Sequence, residues 1–182
     1  MQQEIIIAGF GGQGVLFSGQ ILAYAAMDAG KAVTWSPSYG PEMRGGTANC
    51  TVIIADEEIG SPLVKNPQLG IALNLPSFDK YEDLLAPGGT LIVNQSMVDR
   101  TARRADINVV FVPCNEIAEE IGDKKLLNMV AVGALLTALP EISLKDIEKA
   151  LEGHLPVRHK HLLPKNYEAL KRGSEAALVV AI

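Results

Sequence analysis

The sequence contains little cysteine and no long hydrophobic run, and each of these absences excludes a class of protein. Only Cys50 and Cys114 occur among its 182 residues, which excludes a disulfide scaffold. An all-cysteine iron–sulfur site needs four thiolates, so a partner must hold any cluster that this protein serves. Residues 126–140 form a largely apolar stretch of 15 residues without a charged side chain, whereas a membrane-spanning helix needs about 20.

Charge and the N-terminal residues exclude further classes. Sixteen Lys and Arg residues against 21 Asp and Glu residues give a net charge of −5, which argues against a general nucleic-acid-binding protein. Glu4 precedes the first apolar run, and no basic segment comes before it, so the sequence does not predict a signal peptide. We therefore expect a cytoplasmic protein with neither a membrane nor a nucleic acid as its partner.

Apolar runs of strand length alternate with longer helical stretches along most of the chain. This alternation predicts an α/β fold, a three-layer α/β/α sandwich with a largely parallel, Rossmann-like sheet and a helical C-terminal tail. The length favours one domain, residues 1–182. Gly30 is placed to end the first helix, Ser77 to begin the second, and Ser143 with Asp146 to form a capping box. The predicted strands are 5–8, 33–35, 48–55, 69–75, 90–94 and 107–112, and the predicted helices are 13–29, 77–85, 115–121, 124–139, 144–151 and 165–179.

A glycine-rich turn follows the first strand. Residues 9–14 read Gly-Phe-Gly-Gly-Gln-Gly, a G-x-G-x-x-G pattern between a strand and a helix that favours a phosphate or another anion. A nicotinamide cofactor also needs a carboxylate about 20 residues on, where residues 34–37 read Thr-Trp-Ser-Pro. No Gly-Lys-Ser/Thr follows to make a Walker A loop. A tight turn without a ligand is the structural alternative to a backbone-lined cofactor site, which would comprise Gly11, Gly12, Gln13 and Gly14.

A second unusual segment, residues 36–46, is predicted to be a loop because it contains two prolines and three glycines. Loops at the carboxyl edge of an open α/β sheet commonly bind ligands or partners, and Tyr, Met and Arg are enriched at interfaces. A surface turn with a simple Glu–Arg pair is the alternative. The predicted contact residues toward a partner or cofactor are Ser38, Tyr39, Glu42, Met43 and Arg44.

The two segments together resemble a known family. Residues 9–15 (GFGGQGV) and 38–46 (SYGPEMRGG) are similar to the gamma subunit of 2-oxoacid:ferredoxin, or acceptor, oxidoreductases. These include the 2-oxoglutarate, pyruvate and ketoisovalerate enzymes. Residues 128–134 (NMVAVGA) and Lys165-Asn166 are similar to two helical segments of the same family, so the resemblance covers essentially the whole chain.

The resemblance implies a subunit of a larger enzyme that oxidatively decarboxylates a 2-oxoacid with coenzyme A, giving acyl-CoA, CO2 and reduced ferredoxin. Thiamine diphosphate, magnesium and iron–sulfur clusters would lie on the alpha, beta and ferredoxin-like subunits. The gamma-type chain would pack beside them and help form the coenzyme A site. Its own sequence has no thiamine-binding Gly-Asp-Gly stretch, and no residue is predicted to be catalytic or to bind a metal.

A basic segment and one buried amide complete the candidates. Between His154 and Arg172, five Lys and Arg residues accompany a single acid, Glu168; Arg158 and Lys160 would attract an acidic partner or the coenzyme A phosphates, or the segment is simply solvated. Asn128 is expected to be a buried hydrogen-bonding residue, and both cysteines small core residues.

Three functions remain open at this point. The first is the oxidoreductase gamma subunit, with 2-oxoglutarate the favoured substrate on overall similarity. The second is a free-standing Rossmann-type reductase that binds a dinucleotide. The third is a non-enzymatic subunit that only assembles a complex, and a homodimer of the isolated chain is compatible with each of them.

Overall fold

The computed structural model describes residues 1–39 and 47–180, which form one six-stranded sheet with helices on both of its faces. The strands are β1 (Gln2–Phe10), β2 (Ala32–Tyr39), β3 (Thr47–Ala55), β4 (Leu69–Ala72), β5 (Thr90–Asn94) and β6 (Asn108–Val112). The helices are α1 (Val15–Asp28), α2 (Leu75–Leu84), α3 (Cys114–Ile121), α4 (Leu127–Leu135), α5 (Leu144–His154) and α6 (Leu163–Val180).

The strands lie in the order β2-β3-β1-β4-β5-β6. β1, β4, β5 and β6 pair in parallel, whereas β3 runs antiparallel to both of its neighbours, β1 and β2. A parallel crossover needs a dozen or more residues, and the chain has only seven positions between Tyr39 and Thr47 in which to reverse. The predicted, largely parallel sheet is therefore confirmed, with one strand reversed.

The two faces of the sheet are covered unequally. Ile5 and Ile7 of β1 point into the main core with α1, α3, α4, α5 and α6. Ile6 and Ala8 point the opposite way, toward Tyr81 of α2, because successive side chains of a strand alternate between the faces. The fold is the expected three-layer sandwich, in which α2 is the only α-helix described on its thinner side.

Three local predictions are wrong. The strand predicted for 69–75 ends at Ala72, because Asn74 caps a helix that begins at Leu75. Residues 36–39, expected in a loop, continue strand β2, in which Pro37 pairs with Cys50; proline is tolerated there because β2 is an edge strand. Ser77 does not begin α2. Asn74 is the N-cap, and its side-chain oxygen accepts the Ser77 N–H at 2.9 Å, since Pro76 can occupy the first helical turn without needing a hydrogen bond of its own.

Other local predictions are confirmed. Gly30 follows α1 in the left-handed conformation, with φ of 78°, and its N–H bonds to the Met27 carbonyl. Ser143 and Asp146 form the capping box of α5. The C-terminal helical tail is present as α6. No helix in the described part of the chain is long and apolar enough to cross a membrane.

Candidate functional site

The glycine-rich turn lies at the carboxyl edge of the sheet, between β1 and α1. Gly12 and Gly14 have φ of 96° and 76°, a conformation that costs other L-residues roughly 1–2 kcal/mol. The turn closes with a hydrogen bond of 3.2 Å from the Gln13 N–H to the Phe10 carbonyl. Only Gly14 of the three pattern glycines has a positive φ, and Gly12 lies at a variable position of G-x-G-x-x-G, so the turn needs glycine at one pattern position and at one other.

The Gln13 side chain folds back into the turn. Its carbonyl oxygen accepts the Phe10 N–H at 2.7 Å and a hydrogen bond from the Asn74 amide at 3.3 Å. Its amide nitrogen donates to the Leu73 carbonyl at 3.4 Å. Gln13 therefore cross-links the turn to the chain that follows β4, and its own N–H is taken up by the Phe10 carbonyl.

The N-terminus of α1 opens beside this turn. Gly14 is its N-cap, and neither a side-chain cap nor an acidic residue in the first turn was found among the described residues. The Asn128 amide of α4 donates to the Gly14 carbonyl at 3.3 Å, and Asn128 is buried, which confirms the role predicted for it. The first N–H groups of α1 form a positively polarised end that favours an anion.

A cavity of about 300 Å³ adjoins the turn, and we call it the turn cavity. Basic side chains reach it from two 3₁₀ segments: Lys125 from Lys124–Leu126, and His159 from Val157–Leu162. Lys125 forms no ion pair with any residue that the structure describes. The other lining residues are Gly12, Gly14, Phe17, Asp123, Leu126, Asn128, Leu155, Leu162 and Asn166.

A neighbouring groove of about 340 Å³ extends along α1 and shares Phe17, Leu155 and His159 with the turn cavity. At its far end the His154 ring stacks on Tyr24 with a centroid separation of 3.9 Å. The same ring contacts the Asp28 carboxylate at 3.1 Å. Cavity and groove together make an elongated channel with a polar end at the glycine turn.

The basic segment contributes to this channel mainly through His159. Arg158 and Lys160 are exposed, and the Arg158 guanidinium donates to the His159 ring at 3.2 Å. Their predicted attraction for an acidic partner or cofactor remains a prediction.

The structure brings the two predicted sequence segments to the same edge of the sheet. Phe10 pairs with Thr47, the first residue of β3, so the chain re-enters the sheet beside the glycine turn. Ser38 and Tyr39 are the last residues of β2, and Ser38 is exposed. The remaining predicted contact residues, Glu42, Met43 and Arg44, lie outside the described residues.

Sequence reasoning missed Lys125 and Phe17, which belong to no motif of their own. The sequence offered one indication for Lys125. It lies just before the apolar helix α4, in which Asn128 is predicted to be a buried amide. Asn166 was noticed only as part of a family-like segment. It is buried, its amide donates to the Leu162 carbonyl at 2.8 Å, and it reaches the turn cavity.

Neither cysteine is suited to binding a metal or to nucleophilic chemistry. Both are fully buried. Burial raises the pKa of the Cys50 thiol to about 11, and it also raises the pKa of Cys114. Within residues 1–39 and 47–180, no group of three or more His, Cys, Asp or Glu side chains could hold a metal ion.

Comparison with known proteins gives consistent results. A model of the pyruvate ferredoxin/flavodoxin oxidoreductase family matches residues 4–176. The 2-oxoglutarate synthase subunit KorC of Methanothermobacter marburgensis is 37% identical over 182 residues, which cover 96% of each chain. The crystal structure of a keto/oxoacid ferredoxin oxidoreductase gamma subunit from Geobacter sulfurreducens is 30% identical, with a TM-score of 0.85, and the match covers 99% of this chain and 98% of that one.

A third relative is considerably longer. The ketoisovalerate oxidoreductase subunit VorA of Methanothermobacter thermautotrophicus is 38% identical over 178 residues. These cover 96% of this chain and 36% of VorA, so the chain spans about a third of that relative's length.

Proposed function

The chain belongs to the pyruvate ferredoxin/flavodoxin oxidoreductase family, and we propose that it is the gamma-type subunit of a 2-oxoacid:ferredoxin oxidoreductase. The observation that carries this proposal is the match with KorC over 96% of both chains. In the assembled enzyme, a 2-oxoacid and coenzyme A would yield acyl-CoA and CO2, and the two electrons released would reduce ferredoxin.

The substrate class follows from the relatives' names. KorC is named for 2-oxoglutarate and VorA for ketoisovalerate, and both are 2-oxoacids with a carboxylate beside a ketone. We propose 2-oxoglutarate as the first substrate to test, because KorC, which is 37% identical over 96% of both chains, is named for it.

The partners proposed are thiamine-binding alpha and beta subunits and a ferredoxin-like subunit. About two thirds of VorA lies outside the part that this chain matches, and we expect regions of that kind to pack against the gamma-type chain. Those partners would hold thiamine diphosphate, magnesium and the iron–sulfur clusters. The location proposed is the cytoplasm, where free thiols such as Cys50 and Cys114 remain reduced.

We further propose that the turn cavity forms one wall of the coenzyme A site. Coenzyme A is elongated and carries several phosphates. The channel offers the polarised N-terminus of α1, backbone approach at Gly12 and Gly14, and Lys125 at its polar end. The groove beyond it, lined by Phe17 and Leu155, suits the less polar part of such a ligand. This chain would bind and orient coenzyme A without supplying a general acid, base or nucleophile.

The strand order disfavours the dinucleotide-binding alternative. In a dinucleotide-binding fold, a carboxylate at the end of the second strand holds the ribose beside the glycine turn. Here β3 lies between β1 and β2, which separates the end of β2 from the turn by about 10 Å, two strand spacings. β2 reads Ala-Val-Thr-Trp-Ser-Pro-Ser-Tyr and contains no acidic residue.

Affinity capture of the tagged chain from native extract tests the proposal. The eluate is assayed for coenzyme A-dependent reduction of methyl viologen with 2-oxoglutarate, pyruvate and ketoisovalerate. We expect co-purification of thiamine- and iron–sulfur-containing subunits and activity with one of these acids. A chain that elutes alone without such activity, and binds NADH at micromolar concentration, would instead support the reductase.

A further inference from the structure

A separate small cavity lies at the same edge of the sheet, on the face opposite the turn cavity. We call it the α2 cavity; its volume is about 40 Å³. Ala8 of β1 lies at its floor and points away from the main core, and Asn49 of β3 pairs with Ala8 in the sheet. The remaining lining residues are Thr47, Ala48, Pro76, Ser77, Lys80 and Tyr81.

Three polar residues of α2 line this cavity. Ser77, Lys80 and Tyr81 are spaced three and four residues apart and therefore share one face of the helix. Ser77 is 4% exposed and Tyr81 is 7% exposed. Their hydroxyl groups and the half-buried Asn49 amide form no hydrogen bond with any residue in the described ranges, and none of these atoms is a fully buried atom without a partner, so they are accessible from the cavity.

Lys80 is exposed and forms no ion pair within the part of the chain described. Its ammonium lies over the Tyr81 ring, 5.0 Å from the centroid, which holds it beside the cavity. The three acidic residues of α2 are engaged elsewhere. Asp79 and Glu82 pair with Arg100 at 2.6 and 2.8 Å, and Asp83 pairs with Arg103 at 3.6 Å.

We propose that the α2 cavity binds a carboxylate group. The Lys80 ammonium balances the single negative charge of a carboxylate, and the two carboxylate oxygens can accept hydrogen bonds from the Ser77, Tyr81 and Asn49 side chains. A cavity needs roughly 10–15 Å³ in the same measure for each water, so 40 Å³ accommodates about the three non-hydrogen atoms of a carboxylate. A phosphate is larger and can carry two negative charges, whereas the described residues that line the cavity include only one cation, Lys80. The inference stands on the lining of the cavity, and only its test with partner subunits rests on the proposed function.

A carboxylate could come from a free small molecule or from an acidic residue of a partner subunit. The first source is tested with the isolated, 15N-labelled chain titrated with sodium acetate against sodium chloride at equal ionic strength. We expect saturable amide shifts at Asn49, Ser77 and Lys80 with acetate alone. The affinity should fall roughly tenfold in Lys80→Gln, the loss of one charge-assisted hydrogen bond, and also fall in Ser77→Ala.

The matched control is Lys65→Gln, because Lys65 is exposed and lies before β4, at the opposite edge of the sheet. It should bind acetate as the unsubstituted chain does. The second source is tested by measuring the affinity of each variant for the partner subunits identified by capture. If acetate does not bind, a roughly tenfold weaker partner affinity for Lys80→Gln alone identifies a partner carboxylate.

The carboxylate site is overturned if acetate causes no saturable shift and Lys80→Gln and Lys65→Gln bind the partners equally. It is also overturned if both variants lose acetate affinity to the same extent. Neither result bears on the proposed function, which is judged by coenzyme A-dependent activity of the captured complex.

Discussion

The side-chain amide of Asn128 donates to the Gly14 carbonyl at 3.3 Å, and it also fills the space that a Cβ atom at position 14 would need. Through this contact α4 holds the glycine turn at the mouth of the turn cavity. Helix α4 is itself buried along most of its length, so the rigid core sets the position of the turn.

Replacing Gly14 by alanine should therefore disturb both the turn and α4. Gly14→Ala places a side chain in the left-handed region and against Asn128, and we expect a loss of about 2–4 kcal/mol in the free energy of unfolding. Urea unfolding followed by the fluorescence of Trp35, the only tryptophan, measures it. The control is Gly12→Ala, since φ is also positive there but no atom lies within 4 Å. It should cost only about 1–2 kcal/mol, and equal losses would contradict the role of Asn128.

Helices α4 and α6 are predicted to tolerate no side chain where their backbones meet. A Cβ at Gly133 would collide with the Leu170 carbonyl, and a Cβ at Gly173 with the Val130 carbonyl. Because backbone cannot move aside as a flexible side chain can, either alanine variant should lose about 3 kcal/mol of stability. Gly153→Ala, in α5 with nothing within 4 Å, should instead gain about 0.5–1 kcal/mol from helix propensity. Thermal and urea unfolding distinguish these opposite signs.

A buried carboxylate should make stability depend on pH. The Glu82 side chain is fully buried, and burial alone raises its pKa. The Arg103 and Arg104 N–H groups and the Arg100 guanidinium outweigh burial, so the net pKa is lowered. Its contribution is therefore present above the unfolded pKa of about 4.3 and is lost as pH falls through the lower, folded pKa.

Substitution of Glu82 by the neutral amide glutamine tests whether its charge stabilises the fold. Glu82→Gln should lose about 3 kcal/mol of unfolding free energy at pH 7, and the difference from the unsubstituted protein should shrink below about pH 4. The control is Asp83→Asn, because Asp83 is 66% exposed and its contact with Arg103 is long, at 3.6 Å. It should change stability by less than about 1 kcal/mol. A pH-independent loss in Glu82→Gln would show that its charge is not what stabilises the fold.

Lys125 is predicted to contribute to coenzyme A binding. In the captured complex, Lys125→Gln should raise the KM for coenzyme A roughly tenfold, the effect of losing one charge-assisted contact, and leave kcat largely unchanged. The adjacent Lys124→Gln is the control, because Lys124 is 81% exposed and pairs with Glu119 at 3.1 Å. An unchanged KM in Lys125→Gln would remove the turn cavity from the coenzyme A site.

Much of the fold could be predicted because its signals are local. The apolar run at the start of the chain, the Ser143–Asp146 capping box and Gly30 each act over a few residues, and the structure contains all three features. The order of the strands could not be predicted in the same way. Whether β2 pairs with β1 or with β3 depends on packing between distant segments, and the placement of β3 between them has no local signature.

The same limit applies to the site. The glycine spacing predicted a turn open to a ligand. It could not show that the Gln13 amide bonds to Phe10 and Leu73, because the side chain of a glutamine in a turn can point toward solvent or back toward the protein. Lys125 follows Gly14 by more than a hundred positions, and they line one cavity only because α4 packs beside the turn. Convergence of this kind is a property of tertiary structure.

The most direct test of the account uses the partner subunits identified by capture, purified with and without this chain. The quantity measured is coenzyme A-dependent reduction of methyl viologen by 2-oxoglutarate, pyruvate or ketoisovalerate. The account predicts that the rate at a fixed coenzyme A concentration falls when the chain is omitted and returns when the purified chain is added back. Partners that turn over at the same rate, with the same KM for coenzyme A, in the absence of the chain would contradict it.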